Sequence, residues 1–167
     1  MARRLLARGY ELLIRDVDEA AVRQLKAEPR VTICASPREV AAQAPVVLMS
    51  LPVPLALEEV ALGADGIVTA GATPCVIDLS TSGVKAARKV AGALAAKGIR
   101  YLDAPVSGGV AGAEQGTLAV MVSGNTELFA TWKPLLGIVG RNVFNVGAEP
   151  GLGQAMKLAK NMLSSTA

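Results

Sequence analysis

Two adjacent glycines follow a serine in the segment DAPVSGGVAGAEQGTL, residues 103–118. The segment comes directly after an apolar run, 99–102, that predicts a buried strand. Gly108 and Gly109 have no Cβ to shield their backbone N–H groups, so an oxygen can approach them closely. Beside the Ser107 hydroxyl these groups would form a nest for a carboxylate or phosphate oxygen, although a plain turn would use the same residues.

A second segment, GLGQAMKLAKN (151–161), places a lysine and an amide on one face of a predicted helix. Lys157 and Asn161 are four residues apart, so their side chains are neighbours. Partial desolvation near the helix N-terminus would lower the pKa of the lysine toward the range useful for acid–base chemistry. The alternative is an ordinary surface lysine, which Lys160, outside this spacing, is expected to be. The chain has no histidine, so proton transfer near neutral pH must use another side chain.

A carboxylate, Asp16, ends the first predicted strand. In a dinucleotide fold such a carboxylate accepts hydrogen bonds from the adenosine ribose and repels a 2′-phosphate. The alternative is a helix N-terminal charge that competes with Asp18. Arg15 would favour a phosphate instead, so the choice between NAD and NADP stays open.

Two loops also follow predicted buried strands, SLP at 50–52 and DLSTS at 78–82. Both would lie at the edge where open α/β sheets bind ligands. A structural turn is the alternative for the first loop, and capping of the next helix by its hydroxyls is the alternative for the second.

The elements that must position these residues alternate between strand and helix. Apolar runs predict strands at 11–15, 31–34, 45–50, 74–79, 99–103, 117–123 and 142–146. Helices are predicted at 1–8, 18–26, 36–43, 53–62, 83–97 and 126–136, and from 152 onward. Continuous apolar strands separated by helices are typical of a mostly parallel sheet covered on both faces. The sequence therefore predicts one α/β domain with a doubly wound, Rossmann-like sheet.

Composition excludes several classes of function. The 17 basic and 14 acidic residues are spread along the chain, which argues against a nucleic-acid partner. Cys34 and Cys75 are isolated, which argues against zinc and disulfides and predicts a cytoplasmic protein with no metal. The apolar runs are too short to span a membrane, and no signal peptide is visible.

Five segments together resemble the β-hydroxyacid dehydrogenase family, which includes 3-hydroxyisobutyrate dehydrogenase and tartronate semialdehyde reductase. The similarity runs along essentially the whole chain. It is carried by LMSLP, VALGADGI, IDLSTS, DAPVSGGVAGAEQGTLAVMVSG and GLGQAMKLAKNML. It implies that residues 1–150 are a dinucleotide-binding domain and that 151–167 begin a helix leading to an all-helical second domain.

The resemblance also implies a role for each candidate residue. The substrate carboxylate would be held by Ser107, Gly108 and Gly109. Lys157 would be the general acid/base, with Asn161 beside it in the site. The dinucleotide would contact Leu51, Pro52 and Thr81, and Asp16 would favour NAD over NADP. The implied reaction passes a hydride between NAD(P) and a small 3-hydroxy acid or 2-hydroxy-3-oxo acid.

The chain departs from the family pattern at both ends. It starts in the helix that resembles the one after the family's GxGxxG turn, so the first strand and that turn are missing. The helical domain, through which the family forms homo-oligomers, is missing too. We therefore expect a chain cut at both ends, and one alternative is an inactive fragment that acts as a binding or pairing module. A second alternative is an imine reductase on the same scaffold.

Overall fold

The computed structural model describes residues 1–72 and 74–165. The strands are β1 (Leu12–Ile14), β2 (Val31–Ile33), β3 (Val46–Met49), β4 (Cys75–Asp78), β5 (Arg100–Asp103), β6 (Val106–Ser107), β7 (Ala119–Gly124) and β8 (Asn142–Gly147). The helices are α1 (Ala2–Ala7), α2 (Glu19–Arg23), α3 (Pro37–Gln43), α4 (Pro54–Leu62), α5 (Val84–Ala95), α6 (Gly109–Gln115), α7 (Thr126–Val139) and α8 (Leu152–Ser165), with one 3₁₀ turn at Ile67–Thr69. Each predicted strand and helix is present within three residues of its expected bounds in the described part of the chain; α2 ends three residues earlier than predicted, and α7 ends three residues later.

The strands form two separate sheets. In the larger sheet the order is β3-β4-β5-β7-β6, and β8 pairs with β7. The pairs β3–β4, β4–β5 and β7–β8 are parallel, whereas β7 runs antiparallel to β5 and β6. The smaller sheet is the parallel pair β1–β2. The Rossmann-like α/β prediction is confirmed, but the sheet is divided, because β1 pairs with β2 and makes no ladder with β3 in the described part of the chain.

The continuous apolar runs reflect strands that are buried on both faces. In β4, Val76 packs into one apolar cluster, while Cys75 and Ile77 pack into another. All three side chains are fully buried. Successive strand side chains point to opposite faces, so a layer on each side of the sheet favours apolar residues on both faces of the strand.

Local signals also determine where helices begin. The Ser36 hydroxyl accepts a 3.2 Å hydrogen bond from the Glu39 N–H, and Pro37 occupies the first turn of α3. The Asp18 carboxylate caps α2 by accepting from the Ala20 N–H at 2.8 Å. These are the residue types that favour an N-terminal cap.

The glycine-rich segment after β5 contains structure that the sequence did not predict. Both β6 and α6 lie within it. Helix α6 has low intrinsic propensity because it is rich in glycine. Its Gly112 is buried, and a Cβ built there would lie 3.1 Å from Leu118, so glycine at this position allows the helix to pack closely against Leu118. Among the described residues, no helix is both long and apolar enough to cross a bilayer.

Candidate functional site

The carboxylate of Asp103 holds the start of helix α8. It lies at the end of β5 and is fully buried. Its Oδ2 atom accepts hydrogen bonds from the backbone N–H groups of Gly151 and Gln154, each at 3.1 Å, and from the Ser123 hydroxyl at 3.0 Å. Burial raises the pKa of Asp103, and the hydrogen bonds, those of Gln154 first, act in the opposite direction. A carboxylate at this position also complements the positive end of the helix dipole.

The Gln154 side chain connects α8 to two strand ends at once. Its amide nitrogen donates to Asp103 Oδ1 at 2.7 Å and to the Ser80 carbonyl at 2.9 Å. Its amide oxygen accepts from the N–H groups of Ser82 and Gly83, both at 3.0 Å. If the amide oxygen and nitrogen exchanged places, donors would face donors and acceptors would face acceptors in all four hydrogen bonds. The orientation of the Gln154 amide is therefore determined. The loop after β4 is thereby held against the helix.

Gly153 allows α8 to approach the sheet closely. A Cβ built on it would overlap the Met121 carbonyl oxygen and lie 2.9 Å from Asp103 Oδ2. Its N–H donates to the Ser123 hydroxyl at 3.0 Å. This hydroxyl thus bridges the helix and the Asp103 carboxylate. The same built Cβ would lie 3.1 Å from Pro105, so the segment leading to Ser107 passes the start of α8.

Lys157 lies about one turn after Gln154 on the buried face of α8. Only 9% of the residue is exposed. Burial lowers the pKa of Lys157, and the charge of Lys160 lowers it further. The expected direction of the shift is therefore confirmed, and Lys157 is not a surface lysine, whereas Lys160 is exposed. Asn161, one turn further on, is half-buried.

A second hydrogen-bond chain joins the loops that follow β3 and β4. The N–H of Leu51 donates to the Ser80 hydroxyl at 2.9 Å, and the Ser80 N–H donates to Asp78 Oδ1 at 2.9 Å. The Tyr101 hydroxyl donates to Asp78 Oδ2 at 3.1 Å. Burial raises the pKa of the fully buried Asp78, which these hydrogen bonds oppose. The two loops therefore form one rigid edge with α8, through Ser80 and Gln154.

This arrangement corrects the helix-cap interpretation of the loop after β4. The N-cap of α5 is Gly83, which makes no side-chain cap hydrogen bond. The Ser82 hydroxyl instead donates to Asp78 at 3.4 Å. Thr81 is exposed between its two buried serine neighbours, and Pro52 is exposed beyond Leu51. Both therefore lie on the accessible side of the rigid edge.

The predicted anion nest lies where β6 leads into α6. Ser107 ends β6 and is half-buried, and the two glycines after it are exposed. Gly108 has φ +133° and Gly109 has φ +63°, conformations that other residues rarely adopt. The first N–H groups of α6 follow directly and lack partners within the helix. The local backbone therefore suits a close-approaching oxygen.

Asp16 lies two residues beyond the end of β1, which is a strand of the smaller sheet. Its side chain is exposed and accepts from the Asp18 N–H at 2.9 Å, so Asp18, not Asp16, caps α2. The Arg15 guanidinium donates to the Ala35 carbonyl at 3.0 Å and to the Asp16 carbonyl. Arg15 is thus engaged with the backbone. The described hydrogen bonds join Leu51 to the Lys157 helix, but they do not extend to Asp16 or to the glycine nest.

Sequence reasoning missed the network residues Asp103, Ser123 and Gln154 as parts of the site. Two features of the sequence could have identified them. Asp103 and Ser123 are polar residues at the ends of apolar strands, and Gln154 precedes Lys157 by three residues on the same helix face. Among the described residues, no cluster of three or more His, Cys, Asp or Glu could hold a metal ion.

Comparison with known families assigns this fold. The model of the NAD binding domain of 6-phosphogluconate dehydrogenase matches residues 1–147. The chain belongs to this family. The chain is 43% identical over 164 residues to a 3-hydroxyisobutyrate dehydrogenase of Pseudomonas aeruginosa, covering 98% of this chain and 54% of that protein. It is 38% identical to an NAD-dependent L-serine dehydrogenase of the same organism, with the same coverage.

A solved structure also supports the assignment. The chain superposes with a TM-score of 0.89 on Psf3 in complex with NADP+ and 2-OPP, at 28% identity, covering 98% of this chain and 57% of that one. The chain thus spans about half the length of the relatives that it matches. The expected family of oxidoreductases and its nicotinamide cofactor are confirmed.

Proposed function

We propose that this chain supplies the cofactor site and the acid–base lysine of a 3-hydroxyacid dehydrogenase. The observation that carries the proposal is Lys157, which is buried and has a lowered pKa on a helix held by Asp103 and Gln154. The names of the two Pseudomonas aeruginosa relatives support the substrate class, because 3-hydroxyisobutyrate and L-serine are both 3-hydroxy carboxylic acids.

The residues present fit part of a nicotinamide dinucleotide. Asp16 offers an exposed carboxylate at the carboxyl end of β1, where a ribose would be bound. Leu51, Pro52 and Thr81 lie on loops at the carboxyl ends of β3 and β4, the edge at which such sheets bind ligands. Bound NAD would supply the acceptor for the hydride that leaves the substrate carbinol carbon.

The chain's own residues handle the substrate and its proton. The Ser107 hydroxyl and the N–H groups of Gly108 and Gly109 would bind the substrate carboxylate and orient the molecule. The neutral Lys157 amine would take the proton of the substrate hydroxyl as the carbonyl forms. In the reverse direction the Lys157 ammonium would return that proton to the oxygen. Asn161, one turn away, would position the amine.

Asp16 supports NAD over NADP, because its carboxylate would repel a 2′-phosphate while Arg15 is engaged by backbone carbonyls. The test is calorimetric titration of the chain with NADH and NADPH. We expect NADH to bind more tightly, and Asp16→Asn to reduce that preference by about tenfold, the effect of roughly 1.4 kcal/mol. Asp18→Asn is the matched control, because asparagine also caps helices well, and it should leave the preference unchanged.

A second candidate is a pairing module without catalysis, and the surface of α8 favours it. Met156 and Leu158 are almost half exposed, and Met162 and Leu163 are more than 70% exposed. Exposed apolar side chains on one helix mark interaction surfaces. A failure to bind NADH at millimolar concentration, together with a dimer in sedimentation analysis, would favour this candidate over the dehydrogenase.

Three further expectations remain part of the proposal. We propose that residues 1–150 form the cofactor domain and that 151–167 begin the helix to a second domain. We also propose that the protein self-associates through this second domain. We also propose a cytoplasmic location, because Cys34 and Cys75 are buried free thiols, as expected in a reducing compartment.

A further inference from the structure

Two buried carboxyl groups lie side by side at the ends of neighbouring strands. Asp78 of β4 and Asp103 of β5 are register partners in a parallel ladder, so their Cα atoms are about 5 Å apart and their side chains leave the sheet on the same face. Both residues are fully buried. Burial raises the pKa of Asp78, and the charge of Asp103 also raises it. Two negative charges at this spacing oppose each other, so one of the two carboxylates is the first to take up a proton.

Within the described residues, neither carboxylate has an ion-pair partner. The nearby cations of α5 are engaged elsewhere, because Arg88 lies 3.8 Å from Glu149 and Lys89 lies 2.6 Å from Glu58. The strands β3 and β7, which flank the pair, carry no titratable side chain. The other titratable groups on the elements around the pair are Arg100 and Tyr101 of β5, Lys85 of α5, and Lys157 and Lys160 of α8.

Most of the groups around Asp103 can only donate. Its Oδ2 atom accepts from the backbone N–H groups of Gly151 and Gln154, and its Oδ1 atom accepts from the Gln154 side-chain amide. A backbone N–H cannot become an acceptor, and the Gln154 amide cannot reverse without losing its other hydrogen bonds. The Ser123 hydroxyl can reverse, but a proton on Oδ2 would still face the two backbone donors. The surroundings of Asp103 therefore require a carboxylate.

The surroundings of Asp78 are different, because two of its described donors are hydroxyl groups. The Ser80 N–H donates to Oδ1 at 2.9 Å, whereas the hydroxyls of Tyr101 and Ser82 donate to Oδ2 at 3.1 Å and 3.4 Å. A hydroxyl can donate or accept. Burial raises the pKa of Tyr101, so its hydroxyl keeps its proton and continues to donate. A proton on Oδ2 is accommodated when the Ser82 hydroxyl, the more distant of the two, turns and accepts it.

Helix α8 also favours the negative charge on Asp103. The two N–H groups that donate to Asp103 Oδ2 lie at the start of this 14-residue helix. The positive end of the helix dipole stabilises an anion at that position. Asp78 instead accepts from Ser80 and Ser82, in the loop that follows its own strand. The helix therefore acts in the same direction as the hydrogen-bond donors.

We propose that Asp78 is the residue at which this buried pair takes up a proton from solvent, while Asp103 keeps the negative charge. The proton lies on Asp78 Oδ2 and is donated to the Ser82 hydroxyl. Uptake removes the charge from the hydrogen bond with the Ser80 N–H and so weakens the contact that holds the loop after β4, which carries Thr81. The bonds from Asp103 to α8 remain. Acidification thus loosens this loop and not the Lys157 helix, and the switch does not require dehydrogenase activity.

The test is a pH titration of the whole chain by nuclear magnetic resonance, with ¹³C-labelled aspartate and ¹⁵N-labelled backbone. The Asp78 carboxyl carbon should titrate above the ordinary value of 3.8, and the proton affinity of Asp103 should be at least about tenfold weaker than that of Asp78. The Ser80 amide proton should shift at the same midpoint as Asp78. The amide protons of Gly151 and Gln154 should stay constant over that pH range. The proposal is overturned if Asp103 titrates first, if the two midpoints coincide, or if Asp78 stays ionised until the chain unfolds.

Two asparagine variants check the same assignment through stability at pH 7. Asp78→Asn resembles the protonated form, because its amide nitrogen can face the hydroxyls, so the folding equilibrium constant should change by less than about tenfold. Asp103→Asn must direct its amide nitrogen at donors that cannot reverse, so the constant should fall by about 100-fold. The opposite ranking of the two variants would contradict the proposal.

The pH dependence of stability separates proton uptake from a structural role of Asp78. A raised pKa means that the unfolded chain loses this proton first, so the wild-type chain loses stability as the pH rises from 3.8 through the folded value. Asp78→Asn should lack this loss. Asp65→Asn, at an exposed aspartate, is the matched control and should keep it. A loss of wild-type size in Asp78→Asn would show that another group takes up the proton.

Discussion

The Gln154 amide nitrogen donates a 2.7 Å hydrogen bond to the Asp103 carboxylate and so joins the first turn of α8 to the end of β5. The same side chain is bonded to the loop after β4 on its other side. Three backbone segments therefore meet at one fully buried glutamine. Since Lys157 follows one turn later, its position depends on this contact.

The first prediction concerns Gln154→Glu. The substitution keeps the shape but replaces the amide nitrogen, which donates two hydrogen bonds, with a carboxylate oxygen that faces the Ser80 carbonyl and Asp103. Two buried acceptors would then oppose one another, and the free energy of unfolding should fall by about 3 kcal/mol. Urea denaturation followed by circular dichroism measures the change.

Gln43→Glu is the matched control for this prediction. Gln43 is exposed on α3, and its amide donates to the Glu39 carbonyl at 3.2 Å. The same chemical change there should alter stability by no more than about 0.5 kcal/mol. Similar losses for both variants would show that the buried network is not what makes Gln154 important.

The second prediction concerns Gly153→Ala. The added methyl group would overlap the Met121 carbonyl and crowd Asp103, so α8 must shift outward. Overpacking of this kind should reduce the free energy of unfolding by about 2 kcal/mol. Gly92→Ala in α5 is the control, because a Cβ there meets nothing within 4 Å. That variant should instead gain about 0.5–1 kcal/mol, and a comparable loss at both positions would contradict the close approach inferred for Gly153.

The third prediction follows from the lowered pKa of Lys157. The folded chain releases this proton at a lower pH than the unfolded chain, whose lysine has the ordinary value of 10.5. Between the two pKa values the unfolded state binds more protons, so stability rises with pH across that interval. Lys157→Met removes the effect, so the wild-type chain should gain stability relative to the variant as the pH approaches 10.5. Denaturation curves of both proteins measured from pH 7 upward test the sign, and a difference that stays constant would refute it.

The fourth prediction concerns turnover. Under the proposed function, the neutral Lys157 amine would take the proton of a 3-hydroxy acid, so the oxidation rate should rise with pH through the lowered pKa of Lys157. Lys157→Ala should reduce kcat by about 10²–10⁴-fold, the usual contribution of a general base. NADH affinity measured by calorimetry should change little. Lys97→Ala, which removes an exposed lysine far along the chain from Lys157, is the control, and near-normal turnover in Lys157→Ala would reject the assigned role.

The sequence alone was sufficient for much of the fold, for reasons that are local. In β4 every residue is buried, so its apolar run was informative without any knowledge of its neighbours. The helix starts at Asp18 and Ser36 were also predictable, because a capping side chain bonds a backbone group two or three residues away. Helix α6 was missed, since its glycine-rich sequence has little helical tendency of its own.

The candidate site, like the fold, was only partly predictable from the sequence. The sequence by itself determined that Lys157 lies on a helix face with Asn161 and that Ser107 precedes two unshielded glycines. Only the tertiary structure decided that Asp103 and Gln154, 51 residues apart, hold that helix in place. The physical reason is that periodicity reports which positions are buried, whereas the partner of a buried polar group depends on which distant segments the fold brings together.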